Sequence, residues 1–467
     1  MVMGDVPVET DLVVVGAGPG GYSAAFHAAD LGLEVALVTE EARLGGVCLL
    51  RGCIPSKTLL SLADLIHSAR EAAAKGVSFG DPEIDGEKVR AWKEKVVDRL
   101  TGGLEKLAED RSVKVIRGRA RFSSPNELHV HGDEEVEVTF EHAIVATGAR
   151  PVPLPPHEFG GAVWSSAQAL ELEEIPGSLL VVGGGYVGLE MGSVYSALGS
   201  EVTLVEMEDR LLPGADPDLV KPLARRVEDL FEGVHLECSL AGMEEAEGGL
   251  KVSFEGEGAP GDGTFEKVLL AVGRKPNSRD LGLDDAGVEV DDEGYVVVDR
   301  ERRTSAESVL AVGDVTGEPL LAHKAMHEGR VAAEVLAGEP AAFDVRAVPA
   351  VVYTDPEIAW CGLTEAEAEA EGRDVRVVRF PWQASGRAVT MGEGEGFTKL
   401  VLDPETDRIL GVGITGPEAE ALIAEGALAM EMGAVARDLA FTVHPHPTLS
   451  ETIKEAAQEA LDRATHA

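Results

Sequence analysis

Basic and aromatic residues are scarce in this chain. Of its 467 residues 41 are Lys or Arg, only 14 of them Lys, against 83 Asp or Glu, and aromatics make up 4%. The formal charge of -42 opposes approach to phosphate backbones and anionic lipid, which excludes nucleic acid as an expected partner. A carboxylate-rich surface with little lysine suits a high-salt cytoplasm, where self-repulsion is screened within about 3 Å at 1 M salt. The alternative is an ordinary acidic protein. Long apolar runs are missing too. Stretches such as Leu12–Val15 are broken by Gly after a few residues and read as buried strands, so no membrane span is expected. Met1–Asp11 has no basic stretch followed by an apolar run, so no secretory signal is expected and the cytoplasm is the expected compartment. Cysteine is rare: four residues make no disulfide scaffold, yet Cys48 and Cys53 lie only five positions apart in a Gly-rich setting.

What the chain does have is enough apolar residue, 44%, to bury sizeable cores, and at about 150 residues per domain its length predicts roughly three domains. It also repeats itself. The segment Val13–Glu40 lies without gaps on Leu180–Met207, an offset of 167 positions that brings Gly16, Gly18 and Gly21 onto Gly183, Gly185 and Gly188. Each copy runs from an apolar stretch through GxGxxG and a helix-like stretch to a β-branched run, Val35–Val38 or Val202–Val205. Two dinucleotide-binding Rossmann units are predicted. One glycine allows the tight turn, one lets backbone N–H groups approach a pyrophosphate, and one lets helix pack on strand. At the end of the second strand an acidic residue would accept hydrogen bonds from a ribose diol and repel a 2'-phosphate. In the second unit it is Glu206, which predicts NAD over NADP. In the first unit the aligned residue is Thr39, with Glu40 beside it. Either a bulge brings Glu40 to the ribose or the Thr39 hydroxyl substitutes, and Glu40 is the expected residue.

After the first unit comes Gly45-Gly46-Val47-Cys48-Leu49-Leu50-Arg51-Gly52-Cys53-Ile54-Pro55-Ser56-Lys57, a CxxxxC in a glycine-rich turn leading into an apolar helical stretch. Gly52 and its neighbours allow two sulfurs to approach, while a following helix N-terminus and Lys57 would stabilise a thiolate. Two buried thiols or half a zinc site are the alternatives. Zinc fits poorly, since no CxxC or partner Cys/His pair has ligand spacing, and no metal is expected. Cys238 and Cys361 have no such setting and read as inert small apolar residues.

The Cys48/Cys53 pair so placed resembles the redox-active disulfide of flavoprotein disulfide reductases. Near the C-terminus, His444-Pro445-His446-Pro447-Thr448-Leu449-Ser450-Glu451 is similar to a segment of the dihydrolipoamide dehydrogenases in the pyridine nucleotide-disulfide oxidoreductase family. The resemblance spans nearly the whole chain and implies FAD and NAD as cofactors. It implies that His446 is the acid-base and Glu451 orients it. That suits the chemistry: a dithiol attacks a disulfide as thiolate, an imidazole can take the proton, and a carboxylate fixes its tautomer. Thr448-x-x-Glu451 also reads as a capping box opening the last helix, and His444 as packing or support for the site. Ala146-Thr147-Gly148 and Ala311-Val312-Gly313-Asp314 are similar to flavin-binding signatures, with Asp314 on the ribityl chain; a helix cap is the alternative. Gly273 is carried over with the cofactor-binding set. Glu190 matches the family's partner of Lys57 beside the flavin, against an exposed helix carboxylate, and Tyr186 matches the nicotinamide gate, against core packing.

The implied fold is α/β: two Rossmann-like domains arranged as in glutathione reductase and a C-terminal α+β dimerisation domain. The implied division is 1–150 for FAD with the redox cysteines, 151–275 for NAD, 276–345 returning to the FAD domain, and 346–467 for dimerisation. A homodimer is implied, with His446 and Glu451 reaching the other subunit's cysteines. The implied reaction is oxidation of protein-bound dihydrolipoamide: attack on Cys48, electrons onward from Cys53 through FAD to NAD. Its partner would be a lipoyl domain of an acyltransferase or a glycine-cleavage carrier protein. Another disulfide reductase of the superfamily, or a non-catalytic dinucleotide-binding subunit, are the rivals. Leu50 and Arg51 depart from the family pattern, where Asn and a small apolar residue are common.

Overall fold

The computed structural model describes residues 8–392 and 394–466; the start of the Met1–Asp11 stretch, before Val8, lies outside the described residues. Strand β1, Val8–Val15, pairs in parallel with β2, Val35–Thr39, on one side and with Glu135–Val145 on the other. A strand with parallel neighbours and covered faces needs apolar side chains at every position, which is why Leu12–Val15 is continuous and at most 4% exposed. Helix α1, Pro19–Asp30, starts with Pro in its first turn and buries Gly20, Gly21, Ala24, Ala25 and Ala28. Small residues let it lie close to helix Ala322–Leu336. A Cβ on Gly329 would stand 2.4 Å from the Gly20 carbonyl oxygen.

The first sheet has seven strands. Glu135–Val145 is long enough to hold the antiparallel hairpin Arg119–Ser124/Glu127–His131 at one end and the parallel strand Val309–Ala311 at the other. Through that last strand the chain returns to the first sheet after building the second. The second sheet is parallel, in the order Gly233–His235, Glu201–Val205, Ser178–Val182, Lys267–Leu270, Val163–Trp164. Ala149–Pro151 and Arg274–Pro276 pair antiparallel where the chain enters and leaves it.

The repeat is structural. Gly16 and Gly183 take φ of +107° and +111°, and Gly18 and Gly185 are the N-caps of α1 and of helix Tyr186–Leu198 with nearly identical angles. The remainder of the chain forms a five-stranded antiparallel sheet, Ala350–Val352, Ile358–Gly362, Ile409–Thr415, Phe397–Leu402 and Arg376–Pro381, with helices packed on it. Lys399, 1% exposed, reaches from this sheet to Asp216 at 2.6 Å and Asp218 at 2.6 Å, ahead of and within helix Pro217–Leu230, so the third unit is clamped to the second. Among the described residues no helix is long and apolar enough to cross a membrane.

Candidate active site

The three glycines of each GxGxxG do different things, and the geometry separates them. A Cβ on Gly16 would meet the Ala146 carbonyl oxygen at 2.3 Å and one on Gly21 the Gly16 carbonyl oxygen at 1.8 Å. In the second copy the same contacts are Gly183 to Ala271 at 2.5 Å and Gly188 to Gly183 at 2.0 Å. These four are packing glycines. At Gly18 the nearest atom lies 3.9 Å away, and at Gly185 nothing lies within 4 Å. The middle glycine keeps ground clear beside the helix N-terminus, where an anion is favoured.

A cavity of about 780 Å³ opens over the first loop and runs past Glu40, Thr147 and Gly148 to Asp314, Tyr186, Lys57, Cys48 and Cys53. Asp314, in the turn after Val309–Ala311, is buried enough to push its carboxyl above its ordinary pKa, and it accepts no hydrogen bond from another described residue. Its loop is fixed from below by the fully buried Glu328, which accepts the Gly313 N–H at 2.7 Å and pairs with Arg302 at 2.9 Å.

The expected turn around the cysteines is a short helix, α2, Gly46–Arg51, and Cys53 opens the next, α3, Cys53–Glu71. Gly52 is the hinge between them: a Cβ there would strike the Val47 carbonyl oxygen at 2.8 Å. Cys48 and Cys53 differ in acidity. The neighbouring Cys48 thiol, with help from Lys57, outweighs burial and pulls Cys53 down to about 7. The Cys53 sulfur and burial push Cys48 up. Cys53 is therefore the more acidic of the two thiols, one helical turn before Lys57 and at the positive end of α3. Lys57 Nζ donates to both carboxylate oxygens of Glu190 at 2.8 and 3.0 Å. Glu190, which helix position alone leaves as a solvated carboxylate, is 3% exposed.

Cys48 and Cys53 stand at one end of a cavity that begins at a GxGxxG loop, and the sequence comparison bears on that arrangement. A profile described as pyridine nucleotide-disulphide oxidoreductase matches residues 10–329, and one for that family's dimerisation domain matches 348–457. The chain belongs to the pyridine nucleotide-disulphide oxidoreductases.

Within this family, the chain is 48% identical over 455 residues to a dihydrolipoyl dehydrogenase of Vibrio cholerae, covering 97% of this chain and 95% of that one. It is 48% identical over 474 residues to the dihydrolipoyl dehydrogenase of Halobacterium salinarum, covering 100% of this chain and 99% of that one. Among solved structures, LpdA of Mycobacterium tuberculosis superposes with a TM-score of 0.89 at 28% identity, covering 96% of this chain and 99% of that one. The HOCl-induced flavoprotein disulfide reductase RclA of Escherichia coli superposes at 0.85 and 29% identity, covering 96% of this chain and 99% of that one.

Glu206, 8% exposed, accepts the N–H of Gly184 at 2.5 Å and of Glu208 at 2.9 Å. Thr39, 5% exposed, accepts the N–H of Glu41 at 3.2 Å, the same two-residue cap as Glu206 to Glu208. Thr39 and Glu40 both line the cavity, with Arg119 4.0 Å from Glu40. Tyr186 also lines the cavity, its phenol pushed up to about 12 by burial. Gly273, at φ +128°, sits in the crossing after the second sheet with nothing within 4 Å of an added Cβ.

His446 and Glu451 are together, but they line no part of this cavity among the described residues. Glu451 accepts from His446 Nδ1 at 3.0 Å and from the Thr448 N–H at 3.1 Å. Burial works against its ionised form, but the Thr448 N–H, His446 and Lys454 outweigh it and hold the carboxyl below its ordinary range. The capping box is only half formed: the last helix starts at Glu451 with Ser450 as N-cap, and the Thr448 hydroxyl turns to the Pro445 carbonyl. His444 is packed, with Nε2 2.8 Å from Glu425. Sequence reasoning missed Arg274, Asn277 and Arg279 on the cavity wall, because they follow a strand with no motif of their own. The unusual Arg51 pairs with Glu41, tying α2 to the loop after β2.

Proposed function

We propose that this chain oxidises a protein-bound dihydrolipoyl group at Cys48 and Cys53 and passes the electrons by way of FAD to NAD. The observation that carries the proposal is the placement of Cys48 and Cys53 with the Lys57–Glu190 ion pair on the wall of a cavity that opens at a GxGxxG loop. The dihydrolipoyl dehydrogenase relatives, near half identical over the whole chain, supply the substrate class.

The residues fit both cofactors. Gly16, Gly18 and Gly21 with Glu40, Thr147, Gly148 and the unpartnered Asp314 would hold FAD; Gly183, Gly185 and Gly188 with Glu206 and Gly273 would hold NAD. Bound there, the flavin supplies two-electron chemistry between a thiolate and a nicotinamide, which no side chain can provide. The chain's own part is sulfur and proton chemistry. With the cysteines oxidised, a substrate thiolate attacks Cys48, a new S–S bond forms, and Cys53 leaves as thiolate into the field of Lys57 and the α3 N-terminus. The second substrate thiol then displaces Cys48, releasing the cyclic disulfide. His446, oriented by Glu451, accepts the first thiol's proton; in the second attack it gives that proton to the departing Cys48 and takes the second thiol's.

His446, 73% exposed and outside the cavity that holds Cys48 and Cys53 of its own chain, fits a homodimer in which it serves the neighbouring subunit. Leu428, Met432, Phe441 and Val443, between 59% and 94% exposed, give that neighbour an apolar face. A lipoyl domain of an acyltransferase or glycine-cleavage carrier is the proposed macromolecular partner, the cytoplasm the proposed compartment, and high salt the proposed condition. Anaerobic addition of dihydrolipoamide to the purified yellow protein in high salt tests the reading. A long-wavelength thiolate-to-flavin band, followed by NADH on adding NAD, is expected. A band with NADH but none with dihydrolipoamide would give the enzyme a different disulfide substrate, and no band with either would remove the thiol relay.

A further inference from the structure

Lys57 and Glu190 are held by a residue of the third unit that no motif singles out. Tyr353 follows strand Ala350–Val352, and its main-chain N–H donates to Glu190 Oε1 at 3.1 Å. The face of its ring lies over Lys57, with Nζ 4.4 Å from the ring centroid. The ammonium is therefore gripped between a carboxylate from helix Tyr186–Leu198 and an aromatic face from the C-terminal sheet, while α3 supplies the lysine itself. All three units of the chain meet at this one cation.

We propose that Tyr353 is a positioning residue for the redox centre: its ring and its main-chain N–H fix the Lys57–Glu190 pair beside Cys53. The proposal rests on Cys48 and Cys53 being the reactive pair. Its physical content is simple. A lysine on four flexible carbons delivers its charge to a neighbouring thiolate only if it is kept there, and losing the aromatic face frees it to turn toward water. The titratable groups bearing on this spot are Lys57, Cys48 and Cys53 from α2 and α3, Tyr22 from α1, Tyr186 and Glu190 from helix Tyr186–Leu198, and Tyr353 itself with Glu357 and Glu420, which face it from its own unit. Of these only Lys57 is a cation, so its displacement leaves the Cys53 thiolate among carboxylates.

The test reads Cys53 directly. In the full-length, flavin-loaded chain carrying Cys48→Ser, the rate of iodoacetamide labelling of Cys53 is followed from pH 5 to pH 9 by mass spectrometry. Cys238 and Cys361, 1% and 2% exposed, are protected. Adding Tyr353→Phe, which keeps the ring and the N–H, leaves the profile unchanged. Adding Tyr353→Leu slows labelling at pH 6 by about threefold, the effect of raising the thiol by half a pKa unit. A leucine variant with the unaltered profile overturns the proposal, because a merely structural role would change stability and not thiol acidity. If the leucine variant does not fold, fluorinated phenylalanines at 353 keep the volume and weaken the ring's hold stepwise. Labelling then falls with each fluorine, and a flat series overturns the proposal. Failure of the chain with Cys48 intact to reduce NAD with dihydrolipoamide would strike the proposed reaction and leave the Cys53 profile as a separate result.

Discussion

Gly183→Ala and Gly185→Ala differ by two positions in the same loop and should have opposite consequences. At Gly183 the backbone φ is +111°, where an L side chain is strained, and the new Cβ would stand 2.5 Å from the Ala271 carbonyl oxygen. Backbone strain of about 1–3 kcal/mol and a displaced strand end of similar cost give a loss of about 3 kcal/mol or more. For a unit of this size that lowers the unfolding midpoint by roughly 6–12 °C. At Gly185 the backbone is extended, φ -75° and ψ 176°, and a Cβ meets nothing within 4 Å. Gly185→Ala should therefore unfold within about 1 kcal/mol of the parent, yet bind NAD about tenfold or more weakly, because the methyl occupies the approach to the helix N-terminus. Calorimetry without nucleotide and NAD titration of each variant separate the two effects. The reasoning is refuted if Gly183→Ala is as stable as the parent, or if Gly185→Ala loses stability and keeps its NAD affinity.

Three other outcomes follow from the geometry. Glu451→Gln keeps an acceptor for the Thr448 N–H but cannot stabilise a charged His446, so dihydrolipoamide turnover should fall about 100-fold with flavin content unchanged; near-normal turnover would contradict the assigned pair. Burial and the Glu420 carboxyl push Glu357 up to about 9 from an ordinary 4.5. A group raised in the folded state favours folding below its unfolded value and loses that contribution as pH climbs through the folded one. Glu357→Gln, which cannot ionise, should gain stability relative to the parent progressively from about pH 5 to pH 9, and a pH-independent difference in urea midpoints would count against it. With a net charge of -42, the parent's unfolding temperature should drop on dialysis from 2 M to 0.1 M KCl, and full activity in dilute buffer would remove the high-salt reading.

The parts legible in the sequence were those with a local cause. A GxGxxG is readable because turn and close packing each demand a missing side chain at a fixed spacing, and the repeat made it readable twice. Cys48 and Cys53 were readable because a pair of sulfurs so near in the chain needs an explanation. The family resemblance carried the roles of Lys57, Glu190, His446 and Glu451, while the residues alone left rivals standing for Glu190 and Glu451.

What tertiary structure decided has no local signature. Glu190 is buried against a lysine 133 positions away, and the carboxylate pairs there because packing removes it from water and leaves the ammonium as its neighbour. Tyr353, 163 positions from Glu190, enters only because the third unit is seated on the first two. Thr39 caps the turn after β2, a contact that its order in the chain does not show. Periodicity and spacing specify which strands and loops form. Which side chains then face each other across units is set by how the units pack, and charge, burial and hydrogen bonding around Cys53, Lys57 and Glu190 are fixed only at that stage.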